Sequence, residues 1–168
     1  PETLAAFGLA FGIASLLSGI LTQARQLSLV LVEHEQGYRT VFRFGIIAGI
    51  ALSGVLALCA LTPLGEWLIG DLHGVDPALT DVVLLAFLWL IPYPFLRGLT
   101  RIYIGTLLRI RRSEIPAYGT TAGISLSILA VFTLLPVDFV QRDPILLPVF
   151  ATYAGVLTEL AGVSWGHS

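Results

Sequence analysis

IPYPFLRGLTRIYIGTLLRIRR, residues 91–112, is the stretch on which the reading of the chain turns. Up to Leu108 it is apolar enough for lipid, yet it holds two prolines, Pro92 and Pro94, and two arginines, Arg97 and Arg101, ahead of its basic end RIRR (109–112). Around it lies a chain of 168 residues that is 56% hydrophobic and 12% charged, against about a quarter charged in soluble domains. The mean hydropathy is +0.89. The charges fall in short clusters separated by uncharged runs of roughly 20 residues, the length of a helix that crosses the hydrocarbon core. The composition therefore points to an integral membrane protein.

Working outward from residues 91–112, five transmembrane helices are expected, at about 4–32, 40–62, 82–108, 115–135 and 145–165. Backbone polar groups in lipid must be satisfied within the segment, and runs of this length suit helices rather than the short alternating strands of a barrel. The expected fold is all-α, a polytopic bundle of about five membrane-spanning helices. Its loops alternate in charge. Arg39 and Arg43 mark one and RIRR another, whereas Glu66, Asp71, Asp76 and Asp81, and then Asp138 and Asp143, mark the loops between. Short Arg-rich loops stay in the cytoplasm, so the N-terminus of the segment is expected outside a cell membrane and its C-terminus inside. Tyr38, Tyr118 and Trp165 on the inner side, and Trp67 on the outer, stand where interfacial aromatics are expected.

Four spans carry small residues at helical spacing: Gly8, Gly12, Ser15 and Gly19; Gly45, Gly49 and Ser53; Gly119, Gly123 and Ser127; Ala151, Gly155, Thr158 and Gly162. In lipid such stripes let helices approach closely, and van der Waals packing replaces the hydrophobic drive. A compact bundle is expected. Cys59 is alone and in mid-span, an apolar packing residue. The basic residues are all Arg, with no Lys, Asn or Met in the chain, and a chain opening on Pro1 without Met is expected to be a piece of a longer protein, one incomplete lobe of a transporter. Pro1-Glu2-Thr3 has no basic n-region and is no signal peptide.

Charges inside the membrane are the candidate site. Arg97 lies roughly 16 Å above the inner boundary of its helix, and an Arg at a helix centre costs about 2.5–3.5 kcal/mol. Arg97 and Arg101 are spaced i, i+4 and share a face with Leu90 and Pro94. Pro92 and Pro94 remove two backbone donors one turn earlier, which kinks or opens the helix. Either a simple bend or the broken helix of a transport site results. Glu159 falls in the inner half of the last span beside its small stripe. Arg25 has two readings. It is an interfacial anchor if the first helix stops near Thr22, or it is buried beside Ser18 and Thr22 if LSLVLV (27–32) is spanned as well in one helix of about 43 Å. Three arginines and one glutamate make either an ion-paired structural cluster or a cavity with surplus positive charge, suited by the planar Arg fork to an anionic group.

No enzyme motif stands out. Glu33-His34-Glu35 lacks the i, i+4 spacing of a zinc helix and reads as a solvated helix end. Asp71, His73 and Asp76 sit among Gly70, Gly74 and Pro77, a turn-rich connector. No metal, no cofactor and no nucleic acid is expected as a partner.

Three stretches taken together, ETLAAFGLAFGIASLLSGIL (2–21), YRTVFRFGIIAGIAL (38–52) and FLWLIPYPFLRGLTRIYIGTLLRIRRSEIPAYGTTAGISL (87–126), resemble the second to sixth helices of one lobe of the MOP flippase superfamily. That superfamily holds MATE-type multidrug exporters, polysaccharide and lipid-linked-sugar flippases and the ANK-like proteins. The resemblance implies alternating access by two lobes around a central cavity, with Arg25, Arg97 and Arg101 as plausible cavity arginines by helix and depth. The carboxylate ion sites of its cation-coupled members find no match here. The leading expectation is a membrane exporter or flippase for an anionic or amphiphilic substrate, with Arg97, Arg101, Glu159 and Arg25 at the cavity. Its partners would be the bilayer and a second lobe. The alternative is a non-transporting membrane subunit or scaffold whose stripes dock partner helices.

Overall fold

The computed structural model of the protein describes residues 2–31 and 35–167, and among these there is helix and no strand. In chain order the helices are α1 (Glu2–Gly19), α2 (Thr22–Leu31), α3 (Glu35–Leu61), α4 (Pro63–Glu66), then a π-helical turn (Trp67–Asp71), α5 (Pro77–Leu90), α6 (Tyr93–Arg109), α7 (Glu114–Leu134), α8 (Asp138–Arg142) and α9 (Leu146–His167). Four are singly long and apolar enough to cross a membrane: Glu2–Gly19, Gln36–Leu61, Glu114–Leu134 and Leu146–Gly166. The pair α5 and α6, bent by 43°, makes the fifth when taken as one span. The chain is thus an all-α, multi-pass bundle.

The bend at α5–α6 has a local cause. Pro92 and Pro94 bring no N–H, so the carbonyls one turn earlier lose their donors. One carbonyl at the break is satisfied from outside, by the Tyr153 hydroxyl, which donates to Trp89 O at 2.6 Å. Leu96 N then donates to Pro92 O at 3.1 Å and the helix resumes.

The first span departs from expectation, being two helices instead of one from about 4 to 32. Ser18 Oγ donates to its own helix at Ala14 O, 2.7 Å away, and Gly19 follows, a residue that weakens a helix interior. The chain tightens there, with Ile20 N donating to Leu17 O and Leu21 N to Ser18 O, before α2 begins at Thr22. Glu33 and His34 lie outside the described residues.

Contacts give the relative directions. Phe11 meets Tyr93, Leu21 meets Gly98, and Arg25 meets Gly105, so α1 and α2 run parallel to α5 and α6. Gly49 lies on Phe95 and Gly45 on Ile102, so α3 runs against α6. Tyr153 reaches Trp89, Glu159 reaches Arg97 and Gly166 reaches Arg112, so α9 runs with α6. Its partner α7 runs against it, Gly123 on Gly155 and Ile115 on Gly166. Successive spans therefore alternate in direction.

The apolar core gathers where α1 meets α5. Ala6, Ala10 and Ala14 are fully buried together with Val83, Ala86, Phe87 and Leu90. The stripe expected to pack on α1 does not do so. A Cβ placed at Gly8, Gly12 or Gly19 would meet nothing within 4 Å, because α1 turns its alanine face to the bundle. The other stripes are seams. A Cβ at Gly123 would stand 2.7 Å from Gly155 O, one at Gly162 would stand 3.3 Å from Gly119 Cα, and one at Gly49 would stand 3.0 Å from Phe95 Cα. Large apolar residues such as Ile47 and Ile50 on α3, and Ile128 and Phe132 on α7, face outward, as lipid-facing positions do.

The connection expected as a turn-rich loop at 63–81 is largely helical, since Thr62 with Pro63 and Asp76 with Pro77 are each a cap followed by a proline at the first helical position. Asp76 Oδ1 accepts from Ala78 N at 2.9 Å, and a ring nitrogen of His73 lies 2.6 Å from Leu68 O. Both side chains serve the connection itself.

Candidate functional site

Helix α6 carries Tyr93, Arg97 and Arg101 at i, i+4 and i+8, one face. On one side of that face stand α1 and α2, on the other α7 and α9, and the space between holds three adjoining cavities. The first, about 350 Å³, lies between Arg97, Arg101, Thr120, Gly155, Glu159 and Phe11 among others. The second, about 240 Å³, adds Ser15, Ser18 and Thr22 from the opposite wall. The third, about 390 Å³, runs toward the basic end past Arg25, Pro116, Ala117 and Thr121. Arg101 borders all three. Together they form one groove floored by α6.

The two arginines of that floor differ in their surroundings. Arg97 Nη1 donates to Glu159 Oε2 at 2.6 Å, an ion pair, and Arg97 Nε donates to Tyr93 Oη at 3.2 Å. Its guanidinium also stands 5.8 Å from the centre of the Tyr93 ring, within cation–π range. Thr120 Oγ1 donates to the other oxygen of Glu159 at 3.0 Å. The Glu159 carboxylate is therefore occupied on both oxygens, by α6 and by α7, at a residue only 7% exposed. Arg101 and Arg25 make no side-chain hydrogen bond or ion pair among the described residues. One carboxylate set against three arginines leaves the groove wall with a surplus of two positive charges.

The backbone places these groups by close approach. Gly105 lets α2 lie against α6, since a Cβ there would stand 2.6 Å from Arg25 O. That contact brings Arg25 to the groove beside Arg101, half-buried. Neither reading of Arg25 holds as stated: the first helix does stop before Thr22, but the chain then turns and packs again on α6, so Arg25 is not a plain interfacial anchor. At the basic end, Arg109 Nη1 donates to Val30 O at 3.4 Å and Arg112 Nη1 to Gly166 O at 3.3 Å. These arginines sit at the C-terminal ends of α2 and α9, where a cation is favoured.

Sequence reasoning named Arg25, Arg97, Arg101 and Glu159, and the structure brings all four to one groove. Pro92 and Pro94 stand at the break above it. Tyr93 and Thr120 were missed, although Tyr93 lies four residues before Arg97 on the face already traced through Leu90 and Pro94. Thr120 lies beside the small stripe of α7, and nothing local marks it as the partner of a carboxylate on α9. Among the described residues no group of three His, Cys, Asp or Glu side chains is placed to hold a metal ion.

Fold and groove together define a multi-pass α-helical membrane protein with an arginine-lined groove between its helices. The family model for progressive ankylosis protein (ANKH) matches residues 1–168, and the chain belongs to that family. This overturns the assignment to the MOP flippase superfamily, a different family. The motifs behind that assignment were glycine stripes, prolines and arginines in apolar helices, and tightly packed membrane helices of many families use these. No solved structure matches the chain.

Proposed function

We propose that the groove is the binding path of an exporter for small anions carrying more than one negative charge, with Arg101 and Arg25 as the substrate cations. The observation that supports this best is Arg101, which borders all three cavities and makes no ion pair among the described residues. An Arg held in lipid at a cost of about 2.5–3.5 kcal/mol and left without a partner is one kept for a ligand. Family membership supports the same direction, since ANKH proteins are tied to the export of pyrophosphate and citrate. The planar, always-charged guanidinium suits phosphate and carboxylate oxygens alike. Transport would proceed by exposing the groove to each side of a cell membrane in turn, with the Arg109–Arg112 end cytoplasmic. Further helices, of this protein or a partner, would close the open side of the groove.

The test is pyrophosphate and citrate efflux from cells expressing Arg101→Ala and Arg25→Ala variants. Each loses charge-assisted hydrogen bonds of about 1.5–3 kcal/mol, a tenfold to hundredfold drop in anion affinity, with surface expression unchanged. Efflux at the unmodified level in the double variant would remove the proposal.

A second reading, a non-transporting subunit, is favoured by one observation: the Arg97–Glu159 bond is what a structural pair looks like. It has no use for the unpartnered Arg101, and the same efflux assay separates the two.

A further inference from the structure

Glu159 is the single carboxylate among the residues that border the three cavities. Its position is unusual for a plain structural partner. It neutralises an arginine that is itself placed to meet an anion: Arg97 borders two of the cavities and its side chain remains 25% exposed. The carboxylate takes Nη1 and the Tyr93 hydroxyl takes Nε, so Nη2 is the nitrogen still free to donate to an anion. A carboxylate oxygen at 2.6 Å from Arg97 thus occupies the kind of place that a substrate phosphate or carboxylate oxygen would take on Arg101 one turn away.

We infer that Glu159 is a built-in competitor for the anion: it holds Arg97 while the groove is empty, and yields it to the arriving anion while taking up a proton from water. The inference rests on the anion-binding reading of the groove. Its charge balance is simple. When the anion engages Arg97, an ionised Glu159 would be left as a buried charge without a cation, which is costly. A proton from water neutralises it. The protonated carboxyl still accepts from Thr120 Oγ1 and gains one O–H to donate. No covalent bond forms or breaks.

The groups that face Glu159 fit this exchange. From α6 come Arg97, Arg101 and Tyr93 and from α7 comes Thr120, which does not titrate, while Arg25 of α2 borders the adjoining cavity with Arg101. On α9 itself Tyr153 is committed to Trp89 O. Among the described residues no second carboxylate borders the groove to share the proton. The protonated form is the one that releases Arg97, so anion affinity rises as pH falls. The coupling approaches about tenfold per pH unit where one proton is taken up for each anion bound.

The experiment is pyrophosphate binding to the purified full chain, unmodified and with Glu159→Gln, at about pH 8 and about pH 6. Glutamine mimics the protonated carboxyl, and the ratio of the two affinities cancels the titration of pyrophosphate itself. The expected result is tighter binding by the Glu159→Gln variant at the higher pH, with the gap between the two proteins narrowing at the lower. Equal ratios at both pH values, or weaker binding by the variant, overturn the inference and leave Glu159 a structural partner. Infrared difference spectra of the unmodified protein give a readout that does not depend on the variant folding. Pyrophosphate has no carboxyl group, so a protonated-carboxyl stretch on its addition is expected from Glu159, and no such band overturns the inference. Arg101→Ala separates the two ideas. If it binds pyrophosphate as well as the unmodified chain, the groove reading itself fails. If it loses binding while Glu159→Gln changes nothing, only the competitor fails.

Discussion

The seam between α7 and α9 and the open face of α1 carry the same spacing of small residues, and the inner part of that face, Ser15 and Gly19, borders the groove opposite the seam. In the seam, Gly123 faces Gly155 and Gly119 faces Gly162 so closely that a methyl group at Gly123 would meet backbone. On α1, Gly8, Gly12 and Gly19 have no neighbour where a side chain would stand. The alanines that do seat α1, Ala6, Ala10 and Ala14, lie two positions away along the chain, about 200° around the helix. Small-residue spacing thus permits close approach without compelling it. One wall is welded, the other is left clear, and the arginines lie between.

The largest expected effect comes from wedging the seam. Gly123→Leu or Gly155→Leu must push α7 off α9, an overpacking cost of about 1–3 kcal/mol or more. The thermal midpoint and the yield of folded protein in detergent should both fall. Next comes the charge that ties the seam to α6. Arg97→Ala strands a buried Glu159, a loss smaller than that of the wedge because Arg97 is partly exposed and water can reach the freed carboxylate. Adding Glu159→Ala should restore part of the folded yield; a double variant as unstable as the single would mean that the two do not act as a pair. Accessibility tests the walls directly. With Cys59 replaced, a cysteine at Ser15 or Thr22 should react with a hydrophilic thiol reagent, and one at Gly119 should not. Equal labelling would erase the distinction. The smallest effect is at the open face: Gly12→Ala should leave folding unchanged or raise stability by about 0.5–1 kcal/mol through helix propensity alone, read as a small rise in the same thermal midpoint.

Legibility followed the range of the interactions. The five spans were readable because each is a property of a run of neighbours, apolar for about 20 residues and closed by charged loops. The break at Ile91–Pro92 was readable because proline lacks a donor wherever it stands. The division of the first span was not. Ser18 and Gly19 are ordinary in membrane helices, and only the packing of α2 on Gly105 makes it advantageous for the chain to turn there. The four charged site residues were found because charge in lipid is conspicuous. Tyr93 and Thr120 are polar residues of common type, and their roles depend on what stands opposite.

What the sequence by itself determined is the class of protein, its all-helical spans, the proline break and the short roster of charges that had to be buried. These follow from local chemistry: hydropathy, missing donors and the cost of charge in lipid. Which arginine is paired with a carboxylate and which is not was decided by the tertiary structure alone. Arg97 and Glu159 lie 62 residues apart in the chain, while Arg101, one turn from Arg97 and the same residue type, makes no ion pair among the described residues. The glycine stripes divide for the same reason, because a helix face becomes a seam or a groove wall according to the helix that comes to lie against it.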